Sequence, residues 1–189
     1  AVGEDGVDQS FAGQYDTVLG VDSVDAFAAA VRRCAESVDS QRASAYSGHG
    51  TTTMNVVVQQ MVDSRAAGVV FTADPASGRR DLMVIDAVAG LGEALVDGSA
   101  SPEHVVLHSD GSTAVHEVTG SAVLTARDVD DIRAGALRAA QHWGRPLDLE
   151  WAIDRSGRLW WLQARPITTL PGDLSAMDSR LAGGEHVYT

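Results

Sequence analysis

From Leu147 to Ile153 apolar residues occupy every second position, with Asp148, Glu150 and Ala152 between them. A period of two sends successive side chains to opposite faces of a strand and fits no helix. The segment "DRSG" that follows is turn chemistry, and "LWWLQAR" after it is a second apolar-rich run, so the stretch predicts a β-hairpin. Five more short runs carry strand composition: "MNVVVQQMV" (54–62), "AAGVVFTA" (66–73), "LMVIDAV" (82–88), "HVVLH" (104–108) and "TAVHEV" (113–118). The first three, with Asp-Pro and Gly78 as turn signals after the second, predict an antiparallel meander.

Two segments switch to helical spacing. Val24, Phe27, Val31, Cys34 and Val38 recur at intervals of three and four, which predicts an amphipathic helix with Cys34 as a buried, inert thiol. Thr125 with Asp128 forms a capping-box pair ahead of Val129, Ile132, Ala136, Ala140 and Trp143, and Gly144 is placed to end that helix. The order of helix, antiparallel strands, helix and hairpin is α+β. Residues 1–20 read as loop with a short strand, 39–53 as a flexible polar connection, and 171–189 as linker or tail.

The formal charge of −12 over 189 residues argues against a bulk field that attracts nucleic acid or an anionic membrane. All 14 bases are Arg, so chemistry that needs a lysine must draw it from another polypeptide segment. One cysteine excludes an internal disulfide framework and fits a cytoplasmic setting. The chain shows no leader and no long apolar run, and starting at Ala1 instead of Met it reads as an excised or processed piece.

The hairpin concentrates the chemistry. A two- or four-residue loop sets Glu150 opposite Trp161 and Asp148 opposite Gln163, leaving Glu150 and Gln163 as diagonal neighbours ~7–8 Å apart. Arg165 continues along that face, while Trp151, Trp160, Leu149 and Leu162 form the core side. A three-residue loop would flip the parity and spoil the arrangement. A carboxylate, an amide oxygen and a second acid make a hard-oxygen site suited to Mg²⁺ once phosphate oxygens complete its shell. The competing reading is a solvated hairpin face with an Arg–Glu ion pair.

These residues resemble a known family. "LDLEWAIDRSGRLWWLQARPITTL" is similar to the end of the ATP-grasp nucleotide-binding domain of phosphoenolpyruvate synthase, pyruvate phosphate dikinase and rifampin phosphotransferase. The likeness extends, in the family's order, over "SFAGQYDTVLGV" (10–21), "VVVQQMV" (56–62), "GVVFTADPASGRRD" (68–81) and "GLGEALVDG" (90–98). The resemblance implies that Glu150 and Gln163 ligate Mg²⁺ on ATP and that Arg165 contacts the phosphates and assists transfer. It also implies that Gly13 and Thr17 contact the nucleotide through a loop, and Gln59 through a strand. Each has a plainer role open to it: a positive φ at Gly13, a cap or strand position at Thr17, an ordinary strand polar at Gln59. "FTADPASG" and Glu93 match positions taken as structural.

The family's Arg-Ser-Ser motif, its lysine-bearing first lobe and its phosphohistidine swivelling domain have no counterpart here, and none of the six His sits in the right context. The expectation is thus a partial ATP-grasp lobe (1–170) of a multidomain phosphotransferase that phosphorylates a histidine, inactive alone. Its partners would be ATP and the missing lobe and domain, with no nucleic acid or membrane involved. The alternative is a stand-alone, non-catalytic nucleotide-binding or interaction module.

Overall fold

The computed structural model describes residues 5–6, 9–10, 16–45, 55–96, 98–168 and 170–171. The chain divides into two compact units, Ala1–Met61 and Val62–Thr189.

In the first unit β1 (Asp5–Gly6) pairs antiparallel with β2 (Gln9–Ser10), and α1 spans Val24–Ala45. Ser23 Oγ accepts from the Ala26 amide at 3.2 Å, which satisfies one of the free donors at the helix start. The expected apolar stripe is not a buried one: Val24 is 84% exposed and Phe27 43%. Cys34 is only half-buried, and its thiol donates to the Asp16 carbonyl at 3.2 Å. An Ala-rich interior and a capped start favour α1 even where its predicted apolar side, at Val24 and Phe27, is exposed. The strand expected over 54–62 is also corrected. Residues 55–63 are in no strand, and Val57 and Val58 stand exposed. β-branched composition favours a strand only where another strand supplies hydrogen bonds, and no described residue pairs with this run.

The second unit is built on β3 (Ser64–Phe71), β4 (Leu82–Ala89), β5 (Glu103–His108), β6 (Thr113–Glu117), β7 (Leu147–Asp154) and β8 (Leu159–Pro166), with a short α2 (Glu93–Val96) and the long α3 (Ala126–Trp143). The six strands form one antiparallel sheet in the order β6-β5-β4-β3-β7-β8. The α+β class expected from sequence is what the structure has. The predicted three-run meander is not, because its first run is no strand and β3 instead takes β7 as its second neighbour.

One face of the sheet is the core. Val70, Ile85, Leu107, Leu149, Trp151 and Ile153 are buried there with Ile132 and Ala136 of α3. The capping box that opens α3 is present, and Gly144 ends it in the left-handed conformation at φ 66°. Asp128 of that box also takes a 2.6 Å ion pair from Arg65 of β3, so the cap fastens the helix to the sheet. On the next strand pair, buried Glu103 accepts from the Val123 and Leu124 amides and from His116, which ties down the chain entering α3.

Candidate functional site

The hairpin register differs from the sequence expectation, and the difference improves the site. Asp154 and Arg158 close a loop of Arg155, Ser156 and Gly157, with Gly157 at φ 86°. This is the odd-numbered loop that flips parity, a turn followed by a left-handed glycine. Near the turn Ile153 faces Leu159 and Trp151 faces Trp161. Between Glu150 and Trp151 the ladder shifts by one residue, leaving Leu162 as the extra residue of a β-bulge that restores the parity. Beyond it Glu150 stands directly opposite Gln163, and Asp148 opposite Arg165.

Two tryptophans are redistributed as a result. Trp161, not Trp160, shares the core face with Trp151, and its indole lies where a Cβ on Gly135 would fall. Trp160 sits on the polar face, donating to Asp154 at 2.8 Å with the Arg158 guanidinium 4.1 Å above its ring.

Arg165 is held by charge. Its Nε and Nη2 both lie 2.7 Å from Asp148 Oδ2. β7 lies inside the sheet, so Asp148 is 7% exposed, and its other oxygen, Oδ1, is buried with no partner among the described residues. Buried polar atoms are nearly always paired, so this carboxylate oxygen beside Glu150 has the chemistry to accept from a donor or to face a cation. Glu150 next to it is half-buried, and burial raises its pKa; Arg165 pulls it down and Asp148 pushes it up, with a net rise. Removing water from a carboxylate without pairing it is costly, and a divalent cation would offset that cost. Gln163 is exposed, so its amide oxygen is accessible beside Glu150. The donor set fits an oxygen-preferring cation, although no group of three or more His, Cys, Asp or Glu among the described residues could hold a metal by itself.

Glu150, Gln163 and Arg165 are thus brought together on one face, as expected. Thr17 and Gln59 belong to the first unit, where both are exposed and outside any strand or helix. Gly13 lies outside the described residues. Glu93 is the exposed first residue of α2. Asp148 is the residue that sequence reasoning undervalued. Its alternation with Leu147 and Leu149 gave its face, but its burial follows from β7 lying between β3 and β8. No described helix is long and apolar enough to cross a membrane.

The sequence matches the family described as "Pyruvate phosphate dikinase, AMP/ATP-binding domain" over residues 1–123 and 112–180. Among curated relatives it is 38% identical to a rifampicin phosphotransferase of Streptomyces sp, over 90% of this chain and 23% of that protein. It is 34% identical to a probable phosphoenolpyruvate synthase of Methanocaldococcus jannaschii, over 90% of this chain and 17% of the relative. It is also 34% identical to the prodigiosin synthesizing transferase PigC of Serratia marcescens, over 89% and 22%. The chain spans less than a quarter of the length of each. With an antiparallel α+β sheet carrying a polar hairpin face, this chain belongs to the pyruvate phosphate dikinase AMP/ATP-binding domain family.

Proposed function

We propose that this chain is the Mg-ATP-binding lobe of an ATP-grasp phosphotransferase of the phosphoenolpyruvate synthase type, acting within a longer protein that phosphorylates a histidine on a mobile domain. The observation that carries this reading is Glu150 set directly against Gln163, with Arg165 held beside them by Asp148. Residues 1–170 would form the nucleotide-binding part and 171–189 a linker. A cytoplasmic setting fits the single half-buried cysteine.

In the proposed reaction a histidine nitrogen bonds to phosphorus as the bond from phosphorus to the leaving phosphate oxygen breaks, and negative charge gathers on the phosphate oxygens. Mg²⁺ held by Glu150 and Gln163 would supply charge neutralisation there. Glu150 provides the anionic ligand, and its burial makes it a poor home for anything but a cation or a proton. Gln163 adds a neutral oxygen, which limits the negative charge facing the phosphates. Arg165 offers the remaining guanidinium donors to phosphate oxygens, preorganised because Asp148 fixes two of them. Thr17, Gln59 and Gly13 are the further nucleotide contacts in this reading. The lysine that such chemistry needs would come from outside this chain, which has none.

The test is isothermal titration of the full-length protein with Mg-ATP. Saturable binding is expected in the unaltered protein, with a loss of about 100-fold or more in Glu150→Ala and a smaller loss in Gln163→Ala. Unchanged affinity and unchanged histidine phosphorylation in Glu150→Ala would sink the assignment.

A further inference from the structure

The ladder partners of Glu150 continue across the whole sheet. Gln163 pairs with Glu150, Glu150 with Val69, Val69 with Asp86, Asp86 with His104, and His104 with Glu117. Directly opposed residues of an antiparallel sheet project to the same face. The row is therefore one line of side chains on the face opposite α3, polar at every position except Val69.

Within it His104 Nδ1 lies 2.6 Å from Asp86 Oδ1, and both side chains are partly open to solvent, at 36% and 22%. Neither His104 Nε2 nor Asp86 Oδ2 has a further hydrogen bond among the described residues. With Nδ1 committed to the carboxylate, Nε2 is fixed in direction, and Asp86 keeps Oδ2 without a partner among the described residues. The pair therefore carries two polar atoms, His104 Nε2 and Asp86 Oδ2, that no described residue engages, on side chains partly open to solvent.

We infer that Asp86 and His104 bind the vicinal hydroxyls of the ribose of the nucleotide whose phosphates lie at Glu150 and Gln163, an inference that rests on the proposed Mg-ATP site. Strands are spaced about 4.8 Å apart, which puts the Asp86 Cα roughly 10 Å and the His104 Cα roughly 14 Å from that of Glu150. That gap matches the separation of a sugar from its distal phosphates in an extended nucleoside triphosphate. Chemistry selects the sugar over the phosphates: a carboxylate set against a phosphate pays like-charge repulsion, whereas a carboxylate oxygen accepts from a hydroxyl. Val69 between the two polar groups gives the α-side of the ligand an apolar floor without competing hydrogen bonds.

The experiment is isothermal titration of the full-length protein with Mg-ATP and with Mg-2′,3′-dideoxyATP, for the unaltered protein, Asp86→Asn, His104→Gln and Glu150→Ala. The unaltered protein is expected to prefer ATP about ten-fold, because a site built to bond hydroxyls leaves its own groups unpaired against the analogue. In Asp86→Asn and His104→Gln the ATP affinity should fall toward that of the analogue while the analogue's affinity stays constant. Glu150→Ala should weaken both nucleotides in parallel, and so reports on the metal site separately. Equal affinity of the unaltered protein for the two nucleotides overturns the ribose assignment, as does an undiminished preference for ATP in both Asp86→Asn and His104→Gln. A parallel loss for both ligands in those variants, read beside thermal melting without ligand, marks a structural role and also overturns it. Failure of the unaltered protein to bind either nucleotide, or full binding by Glu150→Ala, overturns the underlying site reading.

Discussion

The two faces of β7 are one residue apart and differ in nearly every physical respect. On one, Leu147, Leu149, Trp151 and Ile153 are buried in the core that packs on α3, in contact with partners of their own kind. On the other, Asp148 and Glu150 have lost water without being fully paired: Asp148 keeps an orphaned oxygen, and Glu150 is held above its ordinary pKa by burial. The first face is apolar save for the Trp151 indole N–H, which has no partner among the described residues, and the second leaves charge short of partners. A central strand is an expensive place for two carboxylates, and the apolar face is what makes that expense tolerable.

Breaking the apolar face should have the largest effect. Trp151→Ala removes a fully buried indole from the centre of the sheet and should cost about 3–5 kcal/mol, read as a lower urea midpoint. A loss below about 1 kcal/mol would show that α3 is not anchored there. Breaking the polar face by Arg165→Ala strips Asp148 of its partner while leaving it buried. A loss of about 3 kcal/mol is expected, largely recovered when Asp148 is also made apolar. Additive losses in the double variant would refute that coupling. Gly68→Ala probes the backbone between the faces. A Cβ there would collide with the Asp86 carbonyl of β4 and the Trp151 ring, so about 1–3 kcal/mol should be lost.

Acid sharpens the comparison from another side. Burial, the largest influence on Glu103 and on Asp128, raises their pKa values, but it is outweighed. The hydrogen bonds of His116, Leu124 and Val123 lower Glu103, and those of Arg65 and Thr125 lower Asp128. Carboxyls depressed in the fold stabilise it fully above their unfolded pKa values and lose that contribution as pH falls. Stability should therefore decline below roughly pH 4.5, and Glu103→Gln should flatten the decline. Glu150 has the opposite sign, because protonation relieves it. Glu150→Gln should raise the melting temperature slightly at pH 7 while removing Mg-ATP binding; a fall in Tm would mean that Glu150 is not under strain.

Much of this was legible beforehand because it is local. The capping pair Thr125–Asp128 and the stop at Gly144 mark α3 at both ends, and alternation marks β7. What could not be read depends on neighbours that sequence does not name. "VVVQQ" has strand composition but no partner among the described residues, and the Val24–Phe27 stripe has helical spacing but stands exposed, with no core over it among the described residues of its unit. The choice of β7 as the second neighbour of β3 decides the burial of Asp148, and nothing local encodes it. The hairpin was the subtlest case: an even loop was expected, the three-residue loop found would alone have spoiled the site, and the bulge at Leu162 reverses that outcome.

The pairing of an odd loop with a single-residue bulge has a consequence for how this hairpin can change over generations. Deleting one residue from Arg155–Ser156–Gly157, or regularising the strand at Leu162, would each by itself turn part of β8 over, either exchanging Trp161 with Trp160 or sending Gln163 and Arg165 toward the core. Made together, the two changes would keep Gln163 and Arg165 on the polar face but leave Trp160 in place of Trp161 on the core side. Two damaging steps that offset each other only at the polar end of the strand form a fitness valley, so drift in loop length should be blocked here unless the bulge and the tryptophan positions change with it.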